Sequence, residues 1–212
     1  MNVTFERQFK QLWQEGDDNS LRVRRSSKGR YRGFVYHFCA EEWVKQELHC
    51  PRCGALALDE LPPTMDEWRD YANVTCGECK SEFCLIDSPY SMRSIARSNF
   101  YRGLVERIGD GTALDIICLQ YDLEEFGVSD LFVVPGSCLR KEFLVLGSFY
   151  RARELPEGHD TWCDIALRRM TREFGDAVIV DILRDGEQFG PDEVSSALKA
   201  AEALSSGSAT SL

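Results

Sequence analysis

The chain has 212 residues, of which 43% are hydrophobic, and a formal net charge of −10. This length suits one sizeable core, and the acidic balance argues against a protein coated with positive charge for nonspecific nucleic-acid binding. No apolar run reaches the roughly eighteen residues of a membrane span, and the first residues do not resemble a signal peptide. With nine cysteines and no export signal, we expect a cytoplasmic protein whose cysteines are metal ligands and buried thiols.

The N-terminal region predicts a helix followed by an arm. Apolar residues recur at helical spacing over 3–14 and favour an amphipathic helix, whereas the polar segment 15–33 is typical of a loop or arm. A second, short helix is predicted around "CAEEWVKQEL", at 39–48.

One stretch of the arm is strongly basic. Residues 22–32 hold six basic residues and no acidic one, so the arm is a candidate contact for a polyanion such as DNA. A solvated arm without a partner explains the same charges about as well. The candidate DNA contacts here are Arg22, Arg24, Arg25 and Lys28.

The middle of the chain predicts a strand at 82–87 and a long helix at 89–108. Pro89 suits the first turn of that helix, and its apolar residues fall on one side. Its four arginines stand against one glutamate, which makes Arg93 and Arg97, one helical turn apart, candidate contacts for phosphates or guanine edges. A solvated helix face is the alternative.

The second half of the chain is predicted to form most of the sheet. Short apolar runs separated by turn residues favour strands at 113–121, 130–135, 141–146 and 176–186. A closing helix is predicted over 190–204, because Pro191 suits its first turn and acidic residues follow it. The polar tail is expected to be disordered.

Four cysteines form the strongest pattern in the sequence. Cys50, Cys53, Cys76 and Cys79 make two C-x2-C pairs separated by 22 residues. Each pair supplies two thiolates from one tight turn, and this spacing lets the two turns face each other around a tetrahedral Zn²⁺. Because all four ligands come from the protein, the zinc is predicted to be structural. Two pairs of redox-active or free thiols are the less favoured alternative.

With its flanks, the cysteine pattern resembles the DpnI-like, methyl-directed restriction endonucleases, also called the Dam-replacing family. The resemblance spans about residues 40–200. It rests on "EEWVKQELHCPRCG" (41–54), "CGECKSEF" (76–83), "DLFVVP" (130–135), "CDIAL" (163–167) and "VIVDILRDGEQFGPDEV" (178–194).

The resemblance implies an α/β fold of the α+β kind, with a mixed sheet flanked by helices. The implied fold is a PD-(D/E)xK restriction-endonuclease-like core with a four-cysteine zinc knuckle. It also implies double-stranded DNA as the partner, with adenine methylation as a feature that the family recognises. The aromatic residue implied for methyl recognition, three positions before Cys163, is Asp160 here. Trp162, close by, is expected to pack in the core.

The resemblance further implies three catalytic positions, two carboxylates that hold Mg²⁺ and one lysine. Counted from the zinc cysteines, these positions hold Asn73, Cys84 and Ile86. An amide, a thiol and an aliphatic chain are poor partners for a hard cation that prefers oxygen ligands. We therefore expect a catalytically degenerate site.

A relocated active site is the alternative. Asp70 lies three residues before Asn73, and Glu82 and Lys80 share the strand parity of Cys84. Asp70, Glu82 and Lys80 are therefore candidate replacements, and Mg²⁺ is expected as a cofactor only if they act.

Three functions stay open at this stage. The leading one is a zinc-containing DNA-binding protein of this family that has lost cleavage. The second is an active Mg²⁺-dependent double-strand DNA endonuclease with relocated carboxylates. The third is an interaction or regulatory module that docks a protein partner through its acidic surface and has no DNA role.

The predicted organisation has three parts. An N-terminal helix and basic arm occupy 1–39, the nuclease-fold domain with its zinc site occupies 40–204, and a disordered tail occupies 205–212.

Overall fold

The computed structural model describes residues 43–61, 73–98, 100–122, 127–146 and 162–207. The predicted helix at 3–14 and the basic arm at 22–32 lie outside these residues. The helices are α1 (Tyr101–Gly109), α2 (Leu167–Phe174) and α3 (Pro191–Gly207), and residues 43–47 are also helical. The strands are β1 (Leu58–Glu60), β2 (Val74–Cys76), β3 (Glu82–Ser88), β4 (Ala96–Ser98), β5 (Asp115–Asp122), β6 (Gly127–Val134), β7 (Leu144–Leu146), β8 (Cys163–Ile165), β9 (Val180–Arg184) and β10 (Glu187–Gln188).

Seven strands form one mixed sheet in the order β1-β2-β3-β5-β6-β9-β10. The β3–β5 pair is parallel and the other pairs are antiparallel. A parallel pair requires a crossover, and the segment containing β4 and α1 provides it. Strands β4, β8 and β7 form a second, three-stranded antiparallel sheet.

The large sheet is buried on both faces, as its nearly continuous apolar strands require. On one face, Phe83 and Leu85 of β3 belong to a core cluster that includes Val194 and Leu198 of α3. On the other face, Cys84 and Ile86 belong to a second cluster with the small sheet, α1 and α2. Successive residues of β3 alternate between the two clusters, because side chains along a strand point to opposite faces. The result is an α+β nuclease-like fold in which the large sheet lies between two packed layers.

Each predicted strand run contains a strand, although two of the runs begin as short 3-10 helices. The run at 141–146 is a short 3-10 helix (Lys141–Phe143) followed by β7, and the run at 176–186 is a 3-10 helix (Asp176–Val178) followed by β9. Helix α3 continues to Gly207, past the predicted end at 204. In the part of the chain that the structure describes, no helix has the length and apolar character needed to cross a membrane.

The predicted helix at 89–108 is wrong in its first half. Only 101–109 is helical, while Ala96–Ser98 is strand β4. Serines at 88, 91, 94 and 98 weaken helix formation because their hydroxyls compete for backbone groups. The Ser98 hydroxyl, for example, accepts a hydrogen bond from the backbone N–H of Phe100 at 3.1 Å. Residues 96–98 form a strand instead, because they pair with β8, which is distant in the sequence.

Candidate metal centre and nucleic-acid interface

The two C-x2-C pairs form two similar tight turns. In the first, the N–H of Gly54 donates to the carbonyl of Cys50 at 2.9 Å; in the second, the N–H of Lys80 donates to the carbonyl of Cys76 at 3.0 Å. Both Gly54 and Lys80 have positive φ angles, of 76° and 61°. This left-handed conformation suits glycine, and Lys80 adopts it as a non-glycine residue. The second turn joins β2 to β3, so the sheet fixes its position.

The two turns bring all four sulfurs together. The four Sγ atoms lie within 4.8 Å of one another, and the Cys50–Cys79 and Cys53–Cys76 pairs are each 3.7 Å apart. In a tetrahedral site with metal–sulfur bonds of about 2.3 Å, neighbouring sulfurs lie about 3.8 Å apart. The four cysteines therefore have the geometry to hold a metal ion such as zinc. They are the one such cluster among the described residues.

The four sulfurs differ in their surroundings. Cys50 and Cys76 are buried, and Cys53 and Cys79 are exposed. Burial raises the pKa of the Cys50 thiol. Burial also acts to raise the pKa of Cys79, but hydrogen bonds with the side chain and backbone of Ser81 outweigh it and lower that pKa to about 6. A bound cation would favour the thiolate form of all four.

Asn73 lies immediately before β2, and Cys84 and Ile86 lie in β3 of the large sheet. The Asn73 amide forms a reciprocal pair with the backbone of Leu85: its Oδ1 accepts from the N–H at 2.6 Å and its Nδ2 donates to the carbonyl at 3.0 Å. Cys84 is fully buried and Ile86 is 7% exposed. Burial, with a smaller contribution from Cys163, raises the pKa of Cys84, so its thiol is neutral. These positions thus carry neutral groups that hold strands together and fill the core.

Of the three proposed replacement residues, the structure describes Glu82 and Lys80. Asp70 lies outside the described residues. The Glu82 carboxylate is 41% exposed and lies 3.7 Å from Arg107. Lys80 belongs to the second knuckle turn, where its Nζ donates to the carbonyl of Gly77 at 2.5 Å. Glu82 does not belong to a cluster of described His, Cys, Asp or Glu residues that could hold a metal ion.

The arginines predicted to contact DNA have different environments. Arg22, Arg24, Arg25 and Lys28 lie outside the described residues. Arg93 and Arg97 do not lie one turn apart on a helix, because 93–95 is irregular and 97 is in β4. The Arg93 guanidinium donates to Asp130 and Asp181 and stacks on Phe132, 4.5 Å from the ring centroid. Arg97 is 69% exposed and pairs with Asp164 across the small sheet at 3.0 Å.

The prediction that Trp162 packs in the core is wrong, since this side chain is 44% exposed. It immediately precedes β8, in which Cys163 and Ile165 are buried. Alternation along the strand therefore directs Trp162 and Asp164 outward, onto the face that carries Arg97. The strand parity of "CDI" is the signal that could have identified this exposed aromatic.

Helix α2 adds basic residues that were not predicted as DNA contacts from the sequence. Leu167, Met170 and Phe174 are its buried residues, so the other side of the helix faces solvent. That side carries the exposed arginines Arg168, Arg169 and Arg172. The N–H of Arg168 donates to the carbonyl of Ser94 at 3.0 Å, which joins the start of α2 to the segment that leads into β4. The amphipathic spacing of "LRRMTREF" is the signal that could have revealed this face.

The fold and the cysteine cluster together define the class of this protein: an α+β nuclease-like domain with a four-cysteine knuckle that could hold a metal ion at the edge of its sheet. Comparison with known protein families matches residues 27–207 to the Dam-replacing family. The match covers most of the chain, and the chain belongs to this family. Membership confirms the resemblance found in the sequence and gives the chain a DNA-related, restriction-endonuclease-like role.

Proposed function

We propose that this chain is a zinc-containing, DNA-binding member of the Dam-replacing family that does not cut DNA. One observation carries the proposal: the positions that would hold Mg²⁺ and assist hydrolysis are occupied by Asn73, Cys84 and Ile86, two of them buried in the core. Phosphodiester hydrolysis needs a metal held by oxygen ligands to stabilise developing charge. A bonded amide, a neutral thiol and an aliphatic side chain do not supply this.

Zinc is the ion that best suits the cysteine cluster. Four thiolates in tetrahedral geometry favour zinc over Mg²⁺ or Ca²⁺, which require oxygen ligands. With all four positions filled by protein, the zinc organises the edge of the sheet and has no open position for a substrate. A cytoplasmic setting, in which thiols stay reduced, belongs to the same proposal.

The outer face of the small sheet is the part of the described surface that best suits DNA. Arg97 is strongly exposed there, Trp162 lies on the same face, and the arginines of α2 begin beside it. Arginine contacts phosphates and guanine edges, and such a local basic surface can bind DNA even when the whole chain is acidic. The basic arm at 22–32 is a second proposed contact. Arg93, held by two aspartates, is proposed to support this surface from the core side.

The test is duplex binding measured over a range of NaCl concentrations, with unmethylated, hemimethylated and fully methylated DNA. The parent should bind with salt-dependent affinity, and Arg97→Met should weaken binding by roughly threefold to tenfold at low salt and reduce the salt slope by about one. Arg184→Met removes the same charge from an arginine that is 58% exposed on the large sheet, and it should bind like the parent.

Cleavage is tested on the same DNAs with Mg²⁺ or Mn²⁺. We expect none. Cleavage by the parent that is lost in Glu82→Ala or Asp70→Ala would establish the active endonuclease with relocated carboxylates. Absence of binding to every duplex at low salt would instead favour the interaction module with a protein partner.

A further inference from the structure

Arg52 connects the metal knuckle to two distant parts of the fold. It lies in the first knuckle turn, between Cys50 and Cys53. Its guanidinium forms a two-pronged ion pair with Asp115, from Nε to Oδ2 at 2.7 Å and from Nη2 to Oδ1 at 2.8 Å. The third nitrogen, Nη1, lies 2.7 Å from Oε1 of Glu202 in helix α3. One side chain thus joins the knuckle, the first residue of β5 and α3.

The buried carboxylate of Asp115 has Arg52 as its cation partner. Its side chain is only 3% exposed, and the N–H of Gly136 donates to its Oδ1 at 2.9 Å. Gly136 has no room for a side chain, because a Cβ there would lie 2.1 Å from the carbonyl oxygen of Ala113. A buried carboxylate that loses its cation partner is strongly destabilising. The sheet therefore favours the arrangement in which Arg52 stays in place.

Helix α3 meets the knuckle over three turns. Near its start, Pro191 packs so closely on Gly54 that a Cβ at residue 54 would lie 3.2 Å from the proline Cβ. One turn later, the Ser195 hydroxyl donates to the carbonyl of Arg52 at 2.9 Å. Two turns further on, Glu202 pairs with the Arg52 side chain. The inner side of the helix, including Val194, Leu198 and Ala201, is buried in the core cluster.

We infer that metal binding at the cysteine cluster controls the docking of helix α3, with Arg52 as the link. The turn at 50–54 owes its shape to the metal that its cysteines hold, because small thiolate sites fold with their ion. Loss of the metal releases Arg52, which leaves Asp115 without its partner and removes two contacts that hold α3. The helix then separates from the sheet and exposes part of the core. The inference rests on the proposed zinc site and is independent of DNA binding.

Linkage makes the coupling reciprocal. If the metal stabilises the docked helix through Arg52, the docked helix strengthens metal binding by the same factor, so a variant that breaks the Arg52 contacts should bind the metal more weakly. If Arg52 only attached the knuckle to the sheet, its substitution would leave the metal affinity unchanged, since none of its side-chain nitrogens belongs to the four-sulfur cluster.

The experiment is hydrogen exchange of the full chain, analysed by mass spectrometry, with and without a zinc chelator. Zinc content of the parent is measured first: absence of zinc would remove the proposed site itself. In the zinc-loaded chain, Arg52→Met should keep all four cysteine ligands yet exchange amides of 194–205 roughly tenfold faster than the parent. Arg184→Met is the control, because its ion pairs are with Asp181 and Asp185. It should exchange like the parent.

Zinc affinity, measured by competition with a chromogenic chelator, supplies the reciprocal test. Arg52→Met should bind zinc roughly tenfold more weakly than the parent. Glu202→Gln should also bind zinc more weakly, by a smaller factor. Parent-like protection of 194–205 in zinc-loaded Arg52→Met, or parent-like zinc affinity in that variant, would overturn the inference. If Arg52→Met does not fold, Glu202→Gln carries the same comparison, because it removes only the partner on the helix.

Discussion

The side-chain amide of Asn73 takes the place of a backbone peptide group in the pairing of β2 with β3. Its two hydrogen bonds to Leu85 extend the ladder between β2 and β3 by one residue. An aspartate there could still accept from the Leu85 N–H, but it has no N–H for the carbonyl and would place an oxygen against it. Asn73→Asp should therefore cost roughly 1–3 kcal/mol of unfolding free energy, more than Asn73→Ala. Urea unfolding of the zinc-loaded chain measures this, with the exposed Ser129→Ala as control; a variant as stable as the parent would contradict the role given to the amide.

Two core thiols give the fold a dependence on alkaline pH. Burial raises the pKa of both Cys84 and Cys118. When the chain unfolds, these thiols return to an ordinary pKa near 9.0 and release their protons above that pH. The stability that these two thiols contribute is therefore fully present below about pH 9. Above that pH the free energy of unfolding falls, by up to about 1.4 kcal/mol per pH unit for each thiol. Unfolding measured from pH 8 to 10.5 should show a shallower decline in Cys84→Ala; an identical slope in parent and variant would contradict the assignment.

At the scale of elements, the segment between β3 and β4 is held by Arg93. This guanidinium is 27% exposed and pairs with Asp130 and Asp181 on adjacent strands, whereas Arg97 is 69% exposed and pairs with Asp164 across the small sheet. Arg93→Met should cost about 3 kcal/mol, as expected for a partly buried pair that loses one partner. Arg97→Met should cost less than about 1 kcal/mol, because exposed pairs contribute little. Equal losses in unfolding free energy would show that Arg93 does not anchor the segment.

The same elements show what the sequence could predict. Strands β3, β5, β6, β7 and β9 were predictable because each lies in a short apolar run, and the cysteine cluster because its spacing is local. The strand β4 was not, since its partner β8 lies 67 residues away when measured from Arg97 to Asp164. Met92, Ala96 and Leu104 are among the apolar residues expected on one side of the predicted helix at 89–108; they are buried, but as loop, strand and helix residues in turn. The ion pairs of Arg52 and Arg93 join segments far apart in the sequence. Local periodicity in the sequence does not reveal contacts of that kind.

At the scale of the whole molecule, the knuckle protects one edge of the large sheet. Strands β1 and β2 cover β3, and the cysteine turns hold them there. If removal of the proposed zinc ion releases these strands, β3 becomes an exposed apolar edge, which favours pairing between chains. The chelated chain should therefore self-associate, as measured by light scattering or size exclusion, and early re-addition of zinc should reverse this. A chelated chain that keeps the parent's size at micromolar concentration would contradict this role.

The small sheet has a consequence for the order in which the molecule assembles. Each of its strands has three residues, and β4 must find β8 after the intervening chain, including the central β5–β6 hairpin, has been made. Closing so long a loop costs entropy. The few backbone hydrogen bonds between these short strands do not offset that cost until the core beneath them is packed. The surface that carries Arg97 and Trp162 should thus be the last to form during folding and the first to open in the native state. If this surface is the proposed DNA-binding face, it can adjust to the duplex while the seven-stranded sheet below it stays intact.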